Sequence, residues 1–180
     1  LELSTGPGKC EVVPAGGTDS AVDLNAFPQG FRLRTDRSFE LLGAPVGDDV
    51  FCCQHTKNRV SAAQELLDTL GALEDAQVGL HLLRQCASFC KLGYSARVVP
   101  PTAHTAALQE LDDRVRACLE QVAGCSLTDA SWRQAQLKLR KGGLGLRSGE
   151  QHAAAAYVAS RAACSEPVSY THLTLPTIRS

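Results

Sequence analysis

The sequence predicts an α+β fold that is mostly α, with a short β-hairpin element followed by an antiparallel helical bundle. Two observations predict it. Before about residue 50 the apolar residues alternate or form short β-favouring runs broken by Gly and Pro, whereas beyond it they recur at three- and four-residue steps. The content of 44% hydrophobic against 21% charged residues supplies enough apolar surface for a packed core and argues against wholesale disorder.

Taken in order, residues 9–13 form a strand candidate ended by Pro14 and Gly16-Gly17, and residues 15–29 have no clear period and read as a loop. In residues 30–34, Phe31 and Leu33 alternate with Arg32 and Arg34 as one arm of the hairpin. Residues 35–38 are the expected connection. Phe39, Leu41 and Leu42 supply the other arm, stopped by Gly43 and Pro45. Asp48 or Asp49 then caps a short turn, and a first helix spans residues 57–73 with Val60, Ala63, Leu67 and Leu70 on one face.

Asp75 is the expected N-cap of a second helix reaching about Tyr94, since a short carboxylate there accepts free backbone N–H groups. Val78, Leu83, Cys86 and Cys90 make it apolar over much of its circumference, which predicts a central position. Pro100-Pro101 stops it and starts a third helix whose stripe is Leu108, Leu111, Val115, Cys118 and Val122, ended by Gly124. Asp112-Asp113 falls on its solvated side. Thr128 or Asp129 caps a fourth helix carrying Trp132, Ala135, Leu137 and Leu139, which Gly142-Gly143 breaks. A fifth, alanine-rich helix over residues 150–163 has Tyr157 and Val158 as its largest packing residues.

At 180 residues the chain suffices for one domain or for part of a larger protein, and an opening Leu1 with no methionine anywhere fits the second. It has no signal peptide and no apolar run near the roughly 20 residues that cross a bilayer. The expectation is a protein of the cell interior, cytoplasm or nucleus, with no membrane partner. The eight cysteines are scattered and read as reduced thiols. Cys86 and Cys90 lie one helical turn apart with His81 upstream, but burial on an apolar helix suits them better than the ligand spacings zinc prefers.

The net charge of −1 gives no overall attraction to nucleic acid. Locally, residues 131–148 carry Arg133, Lys138, Arg140, Lys141 and Arg147 with no acidic residue among them. Such a segment either meets phosphates or forms a solvated helix face followed by a loop.

Several motifs recur in a telling order: Lys9-Cys10-Glu11-Val12-Val13, a phenylalanine-bearing strand pair, Phe39-Glu40-Leu41-Leu42-Gly43-Ala44-Pro45, Trp132-Arg133-Gln134-Ala135-Gln136-Leu137 and Gly142-Gly143-Leu144-Gly145-Leu146-Arg147-Ser148. In that order the chain resembles reverse transcriptases of non-LTR (LINE-type) retrotransposons, over the part that follows their catalytic centre. The resemblance implies the end of the palm with the primer-grip hairpin in residues 1–50, a thumb-like region in 51–125 and a connecting helical region in 126–166. Residues 167–180 stand apart, because residues 168–177 resemble the conceptual translation of a transposase-type sequencing adapter, and a disordered tail is expected there.

By the same resemblance Lys9 lies near the phosphates of the incoming nucleotide, and Leu42 and Gly43 form the primer grip. Ser4 stands where the family often has asparagine. An exposed lysine at a strand entrance is the plain alternative for Lys9, and simple turn formation the alternative for Leu42-Gly43. Nucleotidyl transfer needs carboxylates gathered around two divalent ions. The family's acidic strand and its aromatic-Ala-Asp-Asp hairpin are both absent. Gly47-Asp48-Asp49 imitates the Gly-Asp-Asp of viral RNA polymerases but lacks a strand leading into it, so helix capping explains it better.

No residue is therefore assigned a catalytic or metal-binding role, and Mg is expected only in the complete enzyme. The nucleic-acid-binding candidates are Lys9, Leu42, Gly43, Arg133, Lys138, Arg140, Lys141 and Arg147. The expected partners are an RNA template, the RNA–DNA duplex, and the palm and fingers missing from this chain. The competing expectation is a non-enzymatic helical interaction module, or an inactive remnant of a decayed element.

Overall fold

A computed structural model of the chain describes residues 11–13, 32–33 and 38–174, with side chains through residue 165. It divides into two compact units, Leu1–Asp48 and Asp49–Ser180. The fold is mostly helical with short strands, as the periodicities predict.

In the first unit, β1 (Glu11–Val12) pairs in parallel with β2 (Arg32–Leu33). The strand β3 (Phe39–Leu41) pairs antiparallel with β4 (Ala44–Val46), in the register Phe39 with Val46 and Leu41 with Ala44. The hairpin is thus not the expected one. Phe39–Leu41 is its first arm, and the Arg32–Leu33 segment pairs elsewhere. The physical reason lies in the two residues between the arms. Leu42 (φ 51°) and Gly43 (φ 79°) both take positive φ, the backbone of a two-residue type I′ turn whose twist matches that of the flanking strands. Pro45 stops nothing and sits within β4, where an edge strand can do without its N–H.

The second unit begins with α1 (Asp49–Ala62) and α2 (Gln64–Gly71), separated by a one-residue turn at Ala63. Val60, Ala63, Leu67 and Leu70 are all buried, as their spacing predicts. Helix α3 (Ala76–Leu82) starts at Asp75, whose carboxylate accepts from Gln77 N at 2.9 Å and Val78 N at 3.1 Å. The expected helix to Tyr94 does not continue regularly. It widens into a π turn (Leu83–Ala87), tightens into a 3-10 turn (Phe89–Lys91) and resumes as the short α4 (Ser95–Val98). Leu83 and Ala87 are fully buried, but Val78, Cys86 and Cys90 are exposed, so the predicted apolar circumference narrows to one side.

A 3-10 turn (Pro101–Ala103) leads into α5 (Thr105–Ala123), which Gly124 closes in the left-handed conformation at φ 65°. This is the central helix. Its predicted stripe from Leu108 to Val122 is buried, and α1, α2 and α3 pack around it. Helix α6 (Asp129–Ala135) is capped by the Thr128 hydroxyl, which accepts from Ser131 N at 3.2 Å. Ala135 is buried and Trp132 packs on the core, whereas Leu137 and Leu139, expected within this helix, lie beyond its end at Ala135 and are 44% and 60% exposed.

The last helix, α7 (Gly149–Thr174), packs on α4 and α5, and its backbone runs on through the region where a disordered tail was expected from Pro167. Ala153 is its fully buried residue, and Val158 is exposed rather than packed. Among the described residues no helix is long and apolar enough to cross a membrane. The cysteines from Cys52 to Cys164 are unbridged. Burial pushes the Cys118 thiol up to about 11, helped by the nearby Asp68 carboxylate, which makes it a packing group and not a nucleophile.

One polar pair is sealed in this unit. The Thr56 hydroxyl donates to Cys52 O at 2.9 Å, so its oxygen must accept from His104 Nδ1 at 3.1 Å. That fixes the neutral Nδ1–H tautomer and leaves Nε2 buried with no hydrogen-bond partner. Burial holds the His104 pKa below the ordinary 6.5. The unfolded chain therefore binds the proton more readily, and this contribution to stability is complete above pH 6.5 and lost as pH falls toward the folded value. Wild-type stability is expected to drop between pH 7 and pH 5, with a smaller drop in His104→Leu. Urea denaturation of both proteins across that range checks it, and equal slopes would remove His104 from the acid response.

Candidate nucleic-acid interface

The second unit holds a cleft lined by four cationic side chains, and a returning loop builds it. After α6 the chain passes through a 3-10 turn (Leu139–Lys141), reverses at Gly142 (φ 75°) and runs back along the end of the helix. Leu144 N and Leu146 N donate to Ala135 O at 3.1 and 3.3 Å, and Gly145 N donates to Leu137 O at 2.9 Å. These bonds satisfy carbonyls that a helix end otherwise leaves without partners. Gly143 is essential to the approach, since a Cβ there would lie 2.1 Å from Leu137 O and 2.6 Å from Gln134 O. Leu146 is buried and Leu144 packs on the core. Arg147, between buried Leu146 and buried Ser148, is thereby directed outward.

Ser148 starts α7 as its N-cap, accepting from Gln151 N at 3.2 Å. A residue of another helix completes the cap. Asp112 of α5 accepts from Ser148 Oγ at 2.6 Å, Gly149 N at 2.7 Å and Glu150 N at 3.4 Å. Its expected place on a solvated face is therefore wrong: Asp112 faces the start of α7, and Asp113 alone is exposed. Burial raises the Asp112 pKa despite the three hydrogen bonds, which act in the other direction.

The cleft, of about 370 Å³, brings together Lys138, Arg140 and Arg147 with Arg84, Gln136 and His152. A second lobe of about 270 Å³ shares Arg84, Gln85, Gly145 and Arg147 and adds Ser88 and Phe89. No carboxylate lines either lobe. Ion pairs of this unit join Arg114 to Glu110 and Arg116 to Glu120 and Asp129, and none of these residues lines the cleft. The Arg84 guanidinium hydrogen-bonds His81 Nδ1 at 3.4 Å. An acid-free concentration of guanidinium and ammonium groups attracts phosphate and costs the fold little, because each group keeps access to water.

Of the eight predicted site residues, Lys138, Arg140 and Arg147 come together here. Arg133 and Lys141 are exposed but do not line the cleft. Leu42 and Gly43 form the hairpin turn of the other unit, and Leu42 is 91% exposed at its tip. Lys9 lies outside the described residues. The sequence reading missed Arg84, Gln85 and His152. Arg84 and Gln85 stand on the π turn, which interrupts the single helix read from Asp75 to Tyr94, so no signal in the sequence marks them.

Among the described residues no group of three or more His, Cys, Asp or Glu side chains converges as a metal site. Comparison with protein-family models, with curated proteins and with solved structures gives no match to this chain.

Proposed function

We propose that this chain is the template–primer-holding part of a non-LTR retrotransposon RNA-directed DNA polymerase, carrying the primer-grip hairpin, the thumb and the helices that follow, without the catalytic aspartates. The observation that supports the reading best is the acid-free cleft of Arg84, Lys138, Arg140 and Arg147. Contacts of this kind hold a nucleic-acid backbone without reading its sequence. The carboxylates and Mg that perform nucleotidyl transfer belong to the palm preceding this segment in the complete enzyme, so the chain alone extends no primer.

The purified chain is expected to bind a primed RNA–DNA hybrid with a slope of about −4 in log K against log salt, near −0.9 for each of the four cleft cations. Replacing Lys138 and Arg140 with Gln should flatten that slope by about two. Fluorescence anisotropy over a salt series reads both, and no binding even at low salt would overturn the proposal.

A non-enzymatic interaction module is the second reading, favoured by Leu137 and Leu139 standing exposed beside the cleft. Capture of a protein partner that survives nuclease treatment and is lost in Leu137→Ser/Leu139→Ser would select it.

A further inference from the structure

We infer that the cleft seats an unpaired nucleic-acid strand, its phosphates on Arg84 and Arg147 and one base against His152. This rests on the reading of the cleft as a nucleic-acid site and adds which form of nucleic acid enters it. Three observations carry it. The first is size: the larger lobe, of about 370 Å³, falls in the range of pockets that take a small molecule, so a single nucleotide enters where a duplex only lies across the rim.

The second is a ring pair at the cleft. His152 lines the larger lobe and Phe89 the smaller, with centroids 5.7 Å apart and planes at 46°. His152 Nδ1 donates to Ser148 O at 3.0 Å, which holds the imidazole in place against an acceptor that can only accept. Phe89 is the more buried of the two and backs the exposed imidazole. A fixed ring within a cationic groove is the arrangement that stacks bases of a single strand without regard to sequence.

The third is the ridge between the lobes. Gly145 (φ 74°) lies in both, and a Cβ there would come within 3.3 Å of Arg84 Cδ. The Arg84 stem therefore passes close over Gly145, and its guanidinium, held by His81 Nδ1 at 3.4 Å, belongs to a side chain that lines both lobes with Arg147. The two cations come from segments more than sixty residues apart and share a wall free of acids.

The test uses the full chain and two probes: a blunt RNA–DNA hybrid and the same hybrid with a single-stranded RNA extension. The extension is expected to tighten binding about tenfold, the scale of one stacked base. His152→Ala and Arg84→Gln should each abolish that preference, and His152→Phe, which keeps a ring, should retain it. Should His152→Ala fail to fold, Arg84→Gln and His152→Phe still decide the outcome. Equal affinity for the two probes overturns the inference and leaves duplex holding intact. A preference that survives both substitutions places the strand elsewhere and also overturns it. Binding of neither probe overturns both this inference and the function on which it rests.

Discussion

Asp112→Ala is expected to destabilise the helical unit by about 3 kcal/mol, lowering its melting temperature by roughly 10 °C. The carboxylate spans two helices. Without it, Ser148 Oγ and Gly149 N lose acceptors at 2.6 and 2.7 Å, and the start of α7 is left with unpaired donors in a half-buried position. Losing a helix cap costs about 1 kcal/mol, and stranding buried donors adds about 1–3 kcal/mol. Asp112→Asn keeps one accepting oxygen and is expected to cost about 1 kcal/mol.

The two forms also differ with pH in a definite direction. Burial raises the Asp112 pKa above its ordinary 3.8, so the folded state holds the proton more tightly than the unfolded chain does. In the window between 3.8 and the folded value, wild-type stability therefore rises as pH falls, by an amount the asparagine variant lacks. Thermal or urea denaturation of the pair at several pH values below 6 reads this as a gap that widens in favour of wild type on acidification. A gap that closes instead would show that the hydrogen bonds, not burial, dominate the site.

Gly143→Ala is expected to cost about 3 kcal/mol and to weaken nucleic-acid binding together with stability. Most glycine substitutions can be relieved by moving a flexible side chain. Here the obstacles are the carbonyl oxygens of Leu137 and Gln134, at 2.1 and 2.6 Å from the added carbon, and both belong to backbone already engaged by α6 and its returning loop. The loop must lift away, which breaks its bonds to Ala135 O and carries Arg147 out of register with Arg84. Gly142→Ala is the useful control, because its Cβ meets nothing within 4 Å and only the left-handed backbone is penalised, by about 1 kcal/mol. Denaturation midpoints for the two variants should therefore separate clearly. Similar midpoints would show that the loop yields easily.

The elements most legible beforehand were those whose stabilising contacts lie within one helix. The Leu108 to Val122 stripe, the Asp75 cap and the Gly124 stop follow from spacing and local chemistry, and each appears where expected. The hairpin was misplaced because its turn uses Leu-Gly where Asn-Gly or Asp-Gly would have announced a type I′ loop. Asp112 was misread for a different reason: its partners are thirty-six to thirty-eight residues away, and nothing in its own helix distinguishes it from Asp113. The cleft was half visible, since Lys138, Arg140 and Arg147 are neighbours in sequence. Arg84 was not, because only the packing of α3 and the turn after it brings that side chain across.

The wide turn at Leu83–Ala87 has one more effect on how the chain is laid out. A π turn holds a surplus residue relative to an α-helical turn, and the chain then leaves the helix at Ser88, with φ −93° and ψ −137°, before Phe89. Excising a single residue there would shift Arg84 or Gln85 by about 100° around the axis set by α3, away from the cleft they now line. The spacing of that one turn thus sets which side chains of two distant segments become neighbours, and an aligned sequence one residue shorter at this point would describe a protein with a different surface.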